Sequence, residues 1–106
     1  MTPGERSQIR KALRAVHAAG FLPTSVDDGG DELVYGGKPY MTETEVMGAV
    51  GAVDDAYVHF RTQDNVKPRR AWFRVVFGNA KDGSEVIADN TVTPGFAEAI
   101  DSIMMD

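Results

Sequence analysis

Cysteine is absent from the 106 residues and histidine occurs only twice. Disulfides, thiol nucleophiles and thiolate metal centres are therefore excluded, and two imidazoles leave little for any other metal site. The lack of cysteine fits a reducing cytoplasm. No apolar run approaches the roughly 18 to 20 residues of a membrane span, and the N-terminus is polar and charged instead of basic and then apolar. The expectation is a cytoplasmic protein without a membrane partner. Glycine is plentiful at 11 residues, yet neither G-x-G-x-x-G after a strand nor G-x-x-x-x-G-K-[ST] occurs, and G-x-S-x-G is missing too. No cofactor and no enzymatic activity are expected.

Basic charge is also in deficit, with 16 acidic against 11 basic residues and a net charge of −5. The field of the whole molecule repels nucleic acid and anionic lipid unless a local patch overrides it. The charges are unevenly spread. Four bases fall between Arg6 and Arg14 and five between Arg61 and Arg74, whereas Asp82 to Asp106 contains six acids and no base. Such polarity can steer a partner.

What remains is an average globular composition, 42% hydrophobic and 25% charged, in a chain long enough for one domain with one core. Thr2-Pro3-Gly4-Glu5 combines an N-cap hydroxyl, a proline at the first helical position and a glutamate at the third, which starts a helix. Ile9, Ala12, Leu13 and Val16 give it an apolar stripe up to about Ala19, with Gly20 as terminator. Phe21 to Val26 and Glu32 to Tyr35 read as a hairpin around the turn Asp27 to Asp31, with the first strand at an edge because Pro23 cannot donate to a ladder. Thr42 to Glu45 is a second capping box, opening a helix from about Glu43 to Val53 despite Gly48 and Gly51.

Beyond Asp54-Asp55, placed in a loop, the pattern has period two. Val58 and Phe60 point one way and Tyr57, His59 and Arg61 the other; Phe73, Val75 and Phe77 then alternate with Trp72, Arg74 and Val76. A third strand, Glu85 to Asp89, completes a meander, and Thr93-Pro94 opens a last helix carrying Phe96, Ile100, Ile103 and Met104. The order α-β-β-α-β-β-β-α predicts an α+β fold, an antiparallel sheet with three helices mainly on one face.

Two surfaces stand out. The face opposite the core carries Tyr57, His59, Arg61, Arg70, Trp72 and Arg74, with Lys67 and Arg69 extending its basic rim. Trp and Arg are enriched in interface hot spots, so a protein partner or self-association is expected there; the same mixture could stack single-stranded nucleic acid, which the overall acidity disfavours. The alternative surface is acidic: Asp27, Asp28, Asp31, Glu32, Glu43, Glu45, Asp54 and Asp55, fit for an inhibitor that mimics nucleic acid toward a basic host protein. Asp27 to Glu32 lacks the EF-hand spacing, so no metal is expected.

Trp72 to Thr91, "WFRVVFGNAKDGSEVIADNT", with the closing helix from Pro94 resembles a recurrent ending in small accessory proteins of bacteriophages and prophages. The resemblance covers residues 72–106, about a third of the chain. It implies a protein of an infected or lysogenic bacterium that binds host proteins, and it carries over no catalytic residue.

Overall fold

The computed structural model describes residues 1–28, 32–33, 39–53, 55–63, 67–78 and 86–104. Its first helix, α1 (Pro3–Ala18), starts on the capping box: the Thr2 hydroxyl accepts the Glu5 amide and the Glu5 carboxylate accepts the Thr2 amide at 2.8 Å. Two of the N–H groups that a helix start leaves unmatched are thus satisfied. Ile9, Ala12, Leu13 and Val16 are buried along one stripe, and the chain leaves the helix through Gly20 at φ +96°.

The strands are β1 (Phe21–Asp27), β2 (Glu32–Leu33), β3 (Asp55–Thr62), β4 (Arg70–Val76) and β5 (Ile87–Asn90); α2 (Glu43–Val50) lies between β2 and β3, and α3 (Phe96–Met104) follows β5. The fold is α+β with the order α-β-β-α-β-β-β-α, and the sheet runs β2-β1-β3-β4-β5 with every pairing antiparallel. Both β2 and β3 oppose β1, so they run in the same direction with β1 between them.

Strand β1 is therefore not an edge strand, contrary to the reading of Pro23. Among the described residues it pairs with β2 through Val26 with Leu33 and Asp27 with Glu32. Beside Pro23 the outer edge meets the Met41 amide, which donates to the Pro23 carbonyl, so the missing proline N–H leaves no ladder gap. The register to β3 also shifts between Pro23 and Ser25, a bulge of the kind that accommodates proline inside a sheet.

Helix α2 ends at Val50, short of the expected Val53, with Gly51 as its cap. Strand β5 begins at Ile87, after Val86, and the expected first strand residue Glu85 lies outside the described residues. Thr93 does not cap α3: its hydroxyl donates to the Arg70 carbonyl, Gly95 turns the chain at φ +86°, and the Glu98 carboxylate accepts the Gly95 amide. The hairpin turn at 29–31, strand residues 34–35, Asp54 and the turn at 79–83 lie outside the described residues.

The core lies between the sheet and the three helices. Phe21, Phe60, Phe73 and Phe96 are buried together, with Phe96 of α3 against Phe21 and Phe60 at ring separations of 5.2 Å. Ile9 and Val16 of α1, Val46 and Val50 of α2 and Val58 and Val75 of the sheet complete it. The four rings fix α3 on the sheet through edge-on and tilted contacts.

Candidate interaction face

The alternation expected for β3 and β4 is the alternation observed. Ala56, Val58, Phe60 and Thr62 are buried while Asp55, Tyr57, His59 and Arg61 are half-buried on the other face. On β4, Ala71, Phe73 and Val75 turn inward and Arg70, Trp72, Arg74 and Val76 outward. The two strands pair in a register that sets Tyr57 opposite Arg74, His59 opposite Trp72 and Arg61 opposite Arg70. All six residues expected on the face are there.

At its centre Tyr57 and Trp72 meet edge to face, with ring centroids 5.3 Å apart and planes at 74°. The Arg74 guanidinium lies over the Tyr57 ring at 5.7 Å and donates through both Nε and Nη2 to the two carboxylate oxygens of Asp55, the first at 3.0 Å. Asp89 of β5, opposite Arg74 in the sheet, adds a second negative charge nearby. The hydrogen bonds from Arg74 hold the Asp55 carboxyl below the usual carboxylate range, and Asp55 in turn raises Arg74 above an ordinary arginine. Both side chains remain about two-fifths exposed. His59 donates its Nε2–H to Asp27 at 3.0 Å.

Asp55 is thus the first residue of β3 and not part of a loop. Its place two residues before Tyr57 was legible in the alternation; its partner was not, because strand register is invisible in the sequence. Arg69 also departs from expectation. It leaves the rim of this face, donating to the Pro94 carbonyl at 2.6 Å and lying 5.1 Å above the buried Phe21 ring. Tyr40 was not expected near the site at all; its hydroxyl accepts from Arg61 Nη2 at 3.4 Å, and its ring lies 5.8 Å from the guanidinium.

The acidic surface is dispersed among internal contacts. Asp27 holds His59, Asp55 holds Arg74, Glu43 pairs with Arg14 of α1 at 3.0 Å and Glu45 accepts the Thr42 amide in the second capping box. Asp28 is exposed; Asp31, Asp54 and the Glu32 side chain lie outside the described residues. Among the described residues no three His, Asp or Glu side chains come together as metal ligands, and no helix is long and apolar enough to cross a membrane. A cleft of about 280 Å³ at the β1 edge is lined mainly by Leu13, Leu22, Pro23 and Met41, with Arg14, His17, Thr42 and Glu43 around them.

No family model, curated protein or solved structure matches this chain.

Proposed function

We propose that the chain is a non-enzymatic interaction module that binds another protein, or a second copy of itself, through the open sheet face centred on Tyr57, Trp72 and Arg74. The observation that carries this reading is the Tyr57–Trp72 pair, held under an arginine that is itself clamped by Asp55, on the face opposite the helices. Rings and guanidinium supply contact area with polar handles. Their mutual bracing reduces the side-chain freedom lost on association. With Arg74 matched to a carboxylate and Arg69 turned away toward Pro94, the face offers a polyanion fewer free cations than its sequence advertises; a protein surface suits it better than nucleic acid.

The resemblance of residues 72–106 to small phage and prophage proteins extends the proposal: an accessory protein acting in the bacterial cytoplasm on a host protein. The dispersal of Asp27, Glu43, Glu45 and Asp55 into internal contacts favours the aromatic face over an acidic mimic of nucleic acid.

Light scattering over a concentration series, with acrylamide quenching of Trp72, tests the reading, since Trp72 is the only tryptophan. A readily quenched monomer leaves the face open for a foreign partner. A dimer whose Trp72 opens on dilution makes it a self-association surface. Trp72 protected in the monomer, or association unchanged by Trp72→Ala with Arg74→Ala, would sink the proposal.

A further inference from the structure

We infer that Arg61 and Arg70 form a carboxylate-binding fork on the open face, and that its occupant is an acidic segment of a partner protein bearing an apolar side chain beside the acid. This rests on the open face being the interaction surface and specifies the chemistry of the partner.

Arg61 of β3 and Arg70 of β4 stand directly opposite each other, in a chain with more acids than bases. Like charges so placed repel across a sheet. Of the other basic side chains of the face, Arg74 is paired with Asp55 and His59 is hydrogen-bonded to Asp27. Among the described residues neither Arg61 nor Arg70 has one.

Arg61 is held in position but left under-used. Its Nε is enclosed and has no acceptor, and its hydrogen bond is the 3.4 Å contact to Tyr40. Buried polar groups without a partner are uncommon in folded proteins, and a guanidinium carries five donors. Arg70, by contrast, is exposed and supplies the accessible arm. A guanidinium matches the planar, two-oxygen geometry of a carboxylate, and the register sets two arginines opposite each other on adjacent strands of this face.

The same geometry argues for a protein acid over a nucleic-acid backbone. A polyanion binds by neutralising a row of phosphates, and here two arginines that lack a carboxylate among the described residues stand on a molecule of charge −5. Trp72 follows Arg70 by two residues on the same face, roughly 7 Å along the strand. That spacing places an apolar neighbour of the bound acid on the indole.

Calorimetric titration of the full chain with a capped peptide of alternating glutamate and leucine tests the fork. The controls are the glutamine counterpart of that peptide, inorganic phosphate and single-stranded oligothymidylate. The glutamate peptide is expected to bind roughly tenfold more tightly than its glutamine counterpart, and Arg61→Gln or Arg70→Gln to remove that preference. Arg70→Gln should keep or raise the melting temperature, because it relieves a repulsion at an exposed position.

Equal binding of the two peptides, lost from both on Trp72→Ala, overturns the fork while leaving the face. Undiminished binding of the glutamate peptide to Trp72→Ala with Arg74→Ala overturns the face itself. Tighter binding of oligothymidylate or of phosphate than of the peptide, both dependent on Arg70, would replace the acidic protein segment by nucleic acid or by the free anion. Dimerisation of the wild-type chain that Arg70→Gln abolishes would replace it by a second copy, and absence of binding by every peptide at millimolar concentration overturns the inference.

Discussion

The carboxylate of Glu5, at the start of α1, accepts the backbone amide of Gly78, 73 residues along the chain and just beyond β4. Its other oxygen accepts the Thr2 amide, so one buried side chain caps a helix and ties it to the sheet. Glu5→Gln keeps a single acceptor oxygen and must give up one of the two amides. A loss of roughly 1–2 kcal/mol is expected, which thermal unfolding would register as a fall of several degrees; an unchanged melting temperature would show that water replaces either contact without cost.

Stability should also fall in acid. These hydrogen bonds hold Glu5 below its ordinary value of 4.5, and those from Arg74 hold Asp55 below 3.8. A carboxylate depressed in the folded state adds stability that is complete above its unfolded pKa and disappears as pH falls through its folded one. The denaturant midpoint is therefore expected to hold near neutrality and decline from about pH 5 downward, less steeply in Glu5→Gln. A midpoint flat to pH 3 in the wild type would contradict this account.

Arg74 covers one side of the Tyr57 ring while Trp72 meets it edge-on. Arg74→Ala removes that cover and leaves Asp55 without its partner, so Trp72 should become more accessible to acrylamide, with its emission moved to longer wavelength. Far-ultraviolet circular dichroism should not change, since the alternation of β3 and β4 is set by the buried residues. Identical quenching before and after substitution would mean that the guanidinium does not order the aromatic pair.

Phe96 is the contact that seats α3 among Phe21, Phe60 and Phe73. Phe96→Ala should cost about 3–5 kcal/mol, a large part of the roughly 5–15 kcal/mol available to a domain. Chemical denaturation would show it as a strongly lowered midpoint. Loss below about 1 kcal/mol would mean that the helix repacks over the cavity.

The features legible in the sequence were those decided within one element. Thr2 with Glu5, and Thr42 with Glu45, announced two helix starts, and the alternation from Tyr57 to Arg61 and from Trp72 to Phe77 assigned each residue to a face. What escaped depended on neighbours distant in the chain. Pro23 excludes an ordinary central ladder position, but a bulge and the Met41 amide make an interior place for it. Thr93 has the residue type of a cap, yet its hydroxyl goes to Arg70. The basic patch shrank because Asp27 and Asp55 reach His59 and Arg74 from diagonal positions, and because Arg69 turned toward Phe21.

The outer strand β5 has four residues, a register shift against β4, and Ala88, Asp89 and Asn90 along it. The described part of β2 at the opposite margin has two. A short, irregular and charged border such as β5 makes a poor template for another strand. Stacking of chains through the β5 border into an extended ribbon is consequently disfavoured, and molecules that meet through this side of the sheet do so broadside.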